Sequence, residues 1–264
     1  MRPKFAAQQF IRTRRRSVPL RLLAKASHKY LKFWYNEDFY EFAYNGESFA
    51  LDQFARWAGG DQITVWDVGA HRGEWSDAAI EALPDAEIHS FEIIPDIAAA
   101  IPPHPKRTVH TVGLSDHEGE SEIYLVPDCD TLNTFKPYLD DSNFSSARKV
   151  RCRITTGDLL TARLGTPDLL KIDVEGHEVG VLRGCQAMFQ GPNAPAMLQI
   201  EYGHTYLPYG SSLMEIFALL PGYAIGRLYP NHVEFKQYGY ADDHHRMGNL
   251  IAVRDPRLKS MLES

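Results

Sequence analysis

Five carboxylate and histidine residues follow two short, mostly apolar segments of the sequence, 169–172 and 197–200. They are Asp173, Glu175, His177, Glu201 and His204. Short apolar runs of this kind are typical of buried parallel strands. The carboxyl ends of parallel strands meet at one edge of the sheet, where α/β proteins bind ligands. Side chains of these types can take a proton from a hydroxyl, so these five are the candidate catalytic residues.

A second signature lies in segment 65–73. An apolar run ends with Asp67 and Val68, and Gly69 and Gly73 follow before a helical apolar repeat that Pro84 ends. Glycines let the backbone approach a ligand closely, and the following helix presents unpaired N–H groups. The pattern predicts the strand, turn and helix that open a nucleotide-binding α/β sheet.

The next strand pattern, 87–92, ends in a further carboxylate. Glu92 lies 19 residues after Gly73, and the dinucleotide fingerprint has an acid about 20 residues on that binds ribose hydroxyls. An alternative interpretation is that Glu92 only caps the following helix. His71 occupies the position of a glycine in the dehydrogenase fingerprint, and Asp67 fits a cationic sulfonium better than a pyrophosphate. The loop therefore favours S-adenosylmethionine, with an NAD-linked oxidoreductase as the alternative.

Four strings together resemble the FkbM family of S-adenosylmethionine-dependent methyltransferases. They are Asp-Val-Gly-Ala-His-Arg-Gly-Glu at 67–74, Phe-Glu at 91–92, Leu-Ser-Asp at 114–116 and Leu-Lys-Ile-Asp-Val-Glu-Gly-His-Glu at 170–178. The resemblance covers residues 43–254, and the last string is its most specific part. The chain departs from the family at His71, where Asn is more usual.

The resemblance implies a class I methyltransferase: a Rossmann-like, doubly wound, mostly parallel seven-stranded sheet with an N-terminal helical extension. It also implies O-methylation of a sugar or secondary-metabolite hydroxyl. The expected cofactor-binding residues are Asp67, Gly69, Ala70, His71, Gly73, Glu92, Ile93, Ser115, Asp116 and Asp173. A small molecule or a glycan is the expected acceptor, and a homo-oligomer is compatible with the sequence.

The candidate catalytic residues also offer oxygen and nitrogen ligands for a metal ion. Their spacing matches no metal motif, so no metal is expected. Lys171 and Asp173 stand two positions apart and therefore on the same side of a strand, which predicts an ion pair. A nucleic-acid methyltransferase is a further alternative, but Asp-Val-Glu-Gly at 173–176 stands where its Asn/Asp-Pro-Pro-aromatic string is expected.

Composition sets outer limits. The chain has 264 residues, 44% of them hydrophobic, and a net charge of −6, which suits one large α/β domain. No apolar run reaches the length of a membrane span. Cys129, Cys152 and Cys185 form no paired motif, which is typical of a reducing cytoplasm and opposes a disulfide framework or a zinc site.

The charge is uneven along the chain. Residues 1–32 carry ten bases and no acid, and the remaining 232 residues carry 18 bases and 34 acids. We expect a mobile arm over 1–16 and an amphipathic helix from Pro19, with a methyltransferase domain over 43–264 following this 1–42 extension. The basic segment would bind the chain's own acidic domain, a partner or an anionic membrane surface, and a non-catalytic interaction protein is the alternative to an enzyme. The acidic remainder opposes a nucleic-acid partner.

Three further regions complete the expected fold. Segment 39–44 has the pattern of a short strand, and segments 120–126 and 149–155 alternate as a β-ladder would. The irregular stretch 127–148 between them is predicted to be a lid or substrate loop. The last two strands are expected at 223–228 and 249–253, with His232, His244 and His245 in the loop between them.

Overall fold

The chain begins with two basic helices. The structure, a computed structural model, describes residues 3–127, 129, 133–137 and 142–264. Helix α1 (Pro3–Arg14) lies in the segment for which we predicted a mobile arm, and the mobility of that segment stays a prediction. Helix α2 (Val18–Trp34) is the predicted amphipathic helix, and Pro19 in its first turn suits a position whose N–H has no helical partner.

Eight strands form the main sheet. They are β1 (Thr64–Val68), β2 (Glu87–Phe91), β3 (Arg107–His110), β7 (Leu169–Ile172), β8 (Met197–Tyr202), β9 (Ala224–Tyr229), β10 (His232–Lys236) and β11 (Gly248–Val253). Their order is β10-β9-β11-β8-β7-β1-β2-β3. The five strands β8, β7, β1, β2 and β3 are parallel to one another, and β9, β10 and β11 pair antiparallel with their neighbours. The doubly wound, mostly parallel class is confirmed. The count of seven is wrong by one because the loop with His232 folds back as β10 and pairs with β9.

A second, three-stranded sheet lies apart from the main one. It contains β4 (Gly113–Leu114), β5 (Gly119–Leu125) and β6 (Arg148–Thr155), and β5 and β6 pair antiparallel as predicted. The chain changes sheets within residues 107–114, because β3 pairs with β2 in the main sheet and β4 pairs with β6 in this one. Segment 39–44 forms bends and turns, so the strand expected there is also wrong.

The remaining helices pack on the two faces of the main sheet. They are α3 (Glu47–Ala58), α4 (Glu74–Ala82), α5 (Pro95–Ala98), α6 (Gly157–Leu164), α7 (Glu178–Arg183), α8 (Gln186–Gln190), α9 (Leu213–Leu219) and α10 (Pro256–Glu263). Short 3₁₀ helices occupy Ser142–Ser146, His204–Tyr209 and Tyr240–Asp242. A reciprocal capping box of Ser212 and Glu215 begins α9.

Strand alternation divides the core between these two faces. Val65 of β1 belongs to one apolar cluster, with residues of α3, α4 and α10, whereas Trp66 and Val68 belong to the other, with α7 and α9. Because side chains alternate along a strand, Asp67 and Lys171 lie on the face that carries α3 and α4. This division decides which polar residues reach the edge of the sheet.

Candidate active site

The carboxyl edge of the parallel strands borders a cavity of about 700 Å³. Its lining comes from the ends of β1, β2, β7 and β8, from the loop before α3, and from residues 133–135. Binding pockets for small molecules and cofactors typically measure about 300–1,000 Å³. The cavity therefore has the size and the position expected for a ligand in a doubly wound sheet.

The glycine loop forms the floor of one half of the cavity. Gly69 has φ +83°, and a Cβ at this position would overlap the backbone oxygen of Asp173. Gly73 has φ +88° and lies against the guanidinium of Arg107, so it supports the start of α4 without lining the cavity. The first glycine thus allows β1 and β7 to end side by side, which leaves the loop backbone open to a ligand.

Glu92 holds this loop in place. Its Oε2 accepts the backbone N–H of His71 at 3.0 Å, and its Oε1 accepts that of Ile94 at 2.8 Å. Burial raises the pKa of Glu92, and the two backbone bonds oppose that shift. Each carboxylate oxygen keeps a further lone pair that can accept a hydroxyl proton. Glu92 therefore lines the cavity as a preorganised hydrogen-bond acceptor, as we expect of a residue that binds ribose hydroxyls.

An apolar wall adjoins Glu92. It consists of Phe91, Ile93, Leu114 and Ile123. A Cβ on Gly113 would overlap the side chain of Ile93, so this glycine allows the small sheet to approach the β2 edge. The wall offers a flat heterocycle a dry surface beside a hydroxyl-binding carboxylate, so this half of the cavity fits a nucleoside.

Carboxylates line the other half of the cavity. They are Asp173, Glu175 and Glu201. Burial and the charge of Asp173 raise the pKa of Glu201 well above its ordinary value, and the same two causes act on Glu175. Glu175 also adopts φ +55°, a left-handed conformation that costs a non-glycine residue roughly 1–3 kcal/mol. Strain and crowded charge of this kind are typical of functional sites.

Lys171 neutralises part of this charge from below. Its Nζ lies 3.2 Å from Asp67 and 3.4 Å from Asp173, so the predicted ion pair with Asp173 is present. Burial lowers the pKa of Lys171. The carboxylates of Asp67, Asp173 and Glu47 together raise it by more than burial lowers it, so the pKa lies above its ordinary value. Asp67 is fully buried, accepts the hydroxyl of Ser76 at 2.6 Å and does not line the cavity. Strand alternation points it towards α4, one position before the sheet edge.

Three other predicted site residues lie beside the cavity without lining it. Ser115 is buried and bonds His177 Nε2 at 2.9 Å, and Asp116 turns outwards to His117. Burial lowers the pKa of His177 to about 4, so its imidazole is neutral, and its ring packs on Phe135. His177 occupies the N-cap position of α7. The predicted site residues that line the cavity are Gly69, Ala70, His71, Glu92, Ile93, Asp173, Glu175, Glu201 and His204.

A comparison with protein families identifies the fold's lineage. The model of the methyltransferase FkbM domain matches residues 67–240, about two thirds of the chain. The chain belongs to the FkbM methyltransferase family. Membership makes it a methyltransferase that uses S-adenosylmethionine, so the predicted family and cofactor are confirmed.

Solved methyltransferase structures resemble this FkbM protein more distantly. Precorrin-6y C5,15-methyltransferase from Geobacter metallireducens GS-15 is 12% identical, covering 74% of this chain and 81% of that one, with a TM-score of 0.38. The plantazolicin methyltransferase BpumL in complex with SAH is 11% identical, covering 81% and 86%, with a TM-score of 0.42. Aeropyrum pernix fibrillarin with bound S-adenosyl-L-methionine is 11% identical, covering 72% and 66%, with a TM-score of 0.38. No curated protein matches the chain. Family membership, and not these likenesses, assigns the activity.

Part of the cavity wall comes from residues before the matched FkbM domain. Glu47 lines the cavity and accepts the side-chain N–H of Asn249 at 2.7 Å. Burial raises the pKa of Glu47 to about 7, and Lys171 opposes the shift. Asp38, Phe39, Tyr40 and Phe42 line the same side, so the predicted boundary at 42 crosses the cavity wall. The sequence marked this region only by the pattern of a short strand at 39–44, and that pattern predicts secondary structure and no ligand contact.

The predicted substrate loop contributes a fixed point within its described residues. Thr134 Oγ1 donates to the backbone oxygen of Glu175 at 3.0 Å and bonds the Tyr209 hydroxyl at 2.8 Å. Phe135 beside it lines the cavity and covers His177. Positions 128, 130–132 and 138–141 of the predicted loop lie outside the described residues.

Glu178 completes the acidic edge from beneath. Its Oε1 accepts the backbone N–H groups of Val174 and Gly176, and burial raises its pKa to about 7. One oxygen each of Asp173, Glu178 and Glu201 lies within 4.8 Å of the others. Carboxyl groups this close hold protons in common, or they receive a cation. No spacing within the sequence indicates this cluster, since Glu201 comes from a different strand.

Proposed function

We propose that this FkbM methyltransferase transfers the methyl group to a hydroxyl oxygen of a sugar or secondary metabolite. Glu201 is the feature that supports the proposal most directly. Its carboxylate lines the cavity, its pKa is raised, and its Oε2 has no hydrogen-bond partner in the described part of the chain. A buried, unpartnered carboxylate oxygen is a strong acceptor for an incoming hydroxyl.

The donor fits the half of the cavity that the glycine loop and Glu92 define. When bound, S-adenosylmethionine supplies an electrophilic methyl group on a sulfonium. Glu92 would accept hydrogen bonds from the ribose hydroxyls, and the wall formed by Ile93 and Leu114 would cover the adenine. The acidic lining favours a cationic ligand over NAD, whose pyrophosphate it repels. These residues orient the donor, and orientation supplies much of the rate of such a displacement.

Glu201 acts as the general base in this proposal. A hydroxyl must lose its proton as the new carbon–oxygen bond forms, and a base with a pKa raised towards the working pH does this best. The electrostatic effect of Asp173, which pairs with Lys171, raises the affinity of Glu201 for the proton. His177 takes no proton from the acceptor because it lies off the lining.

The charge of the acceptor half limits the acceptor class. Asp173, Glu175, Glu201 and Glu47 line it, and Lys171 pairs with Asp173 among them. Phosphorylated acceptors would be repelled, whereas the hydroxyls of a neutral sugar can donate to several carboxylates at once. Phe39, Phe42 and Phe135 add apolar surface of the kind that sugar rings and metabolite skeletons cover.

The test is methyl transfer from labelled S-adenosylmethionine to a panel of neutral sugars and metabolite hydroxyls. The expected product carries the label on oxygen, which the carbon chemical shift of the methyl group identifies. A label on nitrogen or carbon would contradict the oxygen assignment. Binding of NAD in calorimetry in place of S-adenosylhomocysteine would instead support the oxidoreductase alternative.

Glu201→Gln tests the base. We expect kcat to fall by about 10²–10⁴-fold, with S-adenosylhomocysteine affinity unchanged. Glu74→Gln is the control, because Glu74 lines the donor half of the same cavity and is exposed. Wild-type kcat should rise with pH through the raised pKa of the base, and Glu201→Gln should remove this rise. An unaltered pH profile would refute the role.

A chelator distinguishes shared protons from a cation at the carboxylate cluster. With proton sharing, EDTA leaves the rate unchanged. A loss of activity that Mg²⁺ restores would assign Asp173, Glu178 and Glu201 to a metal ion, contrary to the expectation from the sequence.

A further inference from the structure

Helix α2 presents an apolar face that the described residues of the chain leave exposed. None of its 17 residues is buried. Leu23 and Tyr30 are each 60% exposed, and Trp34 is 62% exposed. At 100° per residue these three side chains lie within one stripe, together with Leu20 and Leu31. No helix in the described part of the chain is long and apolar enough to cross a membrane.

The opposite face of α2 carries a row of bases among other exposed apolar side chains. Arg21, Lys25 and Lys29 follow one another at intervals of four residues, which places them in a single row. Helix α1 adds further bases, and residues 1–32 contain ten bases and no acid. A basic row opposite a stripe with Trp, Tyr and Leu is the pattern of a helix that lies in a membrane interface.

The C-terminal end of α2 is fixed to the methyltransferase domain. Arg227 Nε donates to the backbone oxygen of Tyr35 at 2.7 Å, and the Asn36 side chain donates to the backbone oxygen of Asn45 at 2.7 Å. The chain then continues into the segment that begins with Asp38 and lines the cavity. The helix is therefore attached beside the cavity wall while both of its faces stay exposed.

The basic row and the apolar stripe of α2 together indicate which kind of partner binds this helix. We infer that α2 docks on an anionic lipid surface, with its apolar stripe in the headgroup region and its basic row on the phosphates. The acidic body of a second copy, which carries 34 acids against 18 bases outside residues 1–32, would match the basic row alone. An anionic bilayer matches both faces of the helix. This inference is independent of the acceptor and of Glu201.

The test is co-sedimentation of the full chain with vesicles of phosphatidylcholine, with or without one third phosphatidylglycerol. We expect binding to the mixed vesicles, little binding to pure phosphatidylcholine, and weaker binding as salt rises. Equal binding to both vesicle types, or none to either, would overturn the inference.

Paired charge reversals locate the surface. Lys25→Glu with Lys29→Glu should weaken binding to the mixed vesicles at least about tenfold, since two residues that attract the anionic surface are replaced by two that it repels. Arg56→Glu with Arg257→Glu changes the net charge equally at exposed positions of the domain and should leave binding unchanged. Equal losses in both pairs would show a general charge effect and refute the role of α2.

Leu23→Ser with Trp34→Ala tests the apolar stripe. We expect reduced vesicle binding that persists at low salt, with wild-type affinity for S-adenosylhomocysteine showing that the domain is folded. Light scattering provides the competing outcome. A dimer that this pair disrupts, without vesicle binding by the wild type, would assign the stripe to a second copy.

Discussion

The donor and acceptor halves of the cavity are built in different ways. The glycine loop and Glu92 of the donor half come from one continuous βαβ unit, in which Gly69 and Glu92 shape the loop mainly through backbone contacts. The acceptor half combines side chains from β7, β8, the loop before α3 and residues 133–135. A shared cofactor needs only the first arrangement to stay constant. The second can vary with the acceptor because its residues belong to separate elements.

The largest expected effect is at Gly69. Gly69→Ala forces a Cβ into the backbone oxygen of Asp173 at φ +83°, and we expect a loss of more than about 3 kcal/mol in unfolding free energy from strain and overpacking together. Gly222→Ala is the control, with φ +88° and open space around its Cβ. It should cost only the backbone strain. Equal losses of unfolding free energy in urea denaturation of the two variants would show that the contact with the Asp173 backbone does not constrain position 69.

The buried Glu178 should make the acceptor edge sensitive to pH. Burial raises its folded pKa from 4.5 to about 7, so the folded state binds more protons between these values and stability falls as pH rises through this window. The fall amounts to up to about 3 kcal/mol. Glu178→Gln should remove it, so the variant gains relative to the wild type between pH 4.5 and pH 8.

Denaturation at these two pH values measures the gain. Glu81→Gln, at an exposed carboxylate, should show none. A gain of equal size in both variants would place the titration elsewhere.

The ribose carboxylate gives a smaller effect, confined to the donor half. Glu92→Ala should weaken S-adenosylhomocysteine binding by about 1.5–3 kcal/mol through the loss of charge-assisted bonds. Glu74→Ala removes an exposed carboxylate from the same half, which pairs with His71 at 3.7 Å, and should change affinity little. Calorimetry separates the two variants. An unchanged affinity in Glu92→Ala would remove the ribose assignment.

The smallest effect is expected at the contact that holds the acceptor wall. Tyr209→Phe removes the bond to Thr134, and we expect the acceptor KM to rise by the equivalent of about 0.5–1.5 kcal/mol with donor affinity unchanged. Tyr223→Phe removes a bond of the same length, 2.8 Å, to Pro195 away from the cavity. It should lower stability alone. A rise in KM in both variants would mean that the effect is not local.

Sequence reasoning predicted the donor half better because its information is local. The strand, the two glycines and Glu92 lie within 30 residues, and their spacing implies one βαβ unit. It placed Asp67, Ser115 and Asp116 at the ligand because they stand near strand ends. Strand alternation and pairing with Ser76 and His177 direct the first two elsewhere, which spacing alone does not reveal.

The sequence by itself determined the family, the cofactor, the doubly wound class and the carboxylates behind β7 and β8, since each depends on residues close together in the chain. Only the tertiary structure decided that Glu47 and Thr134 join those carboxylates and that β10 extends the sheet. It also decided that α2 keeps both faces exposed. These features depend on which distant segments meet, and the free energy of such contacts leaves no periodic pattern in the segments themselves.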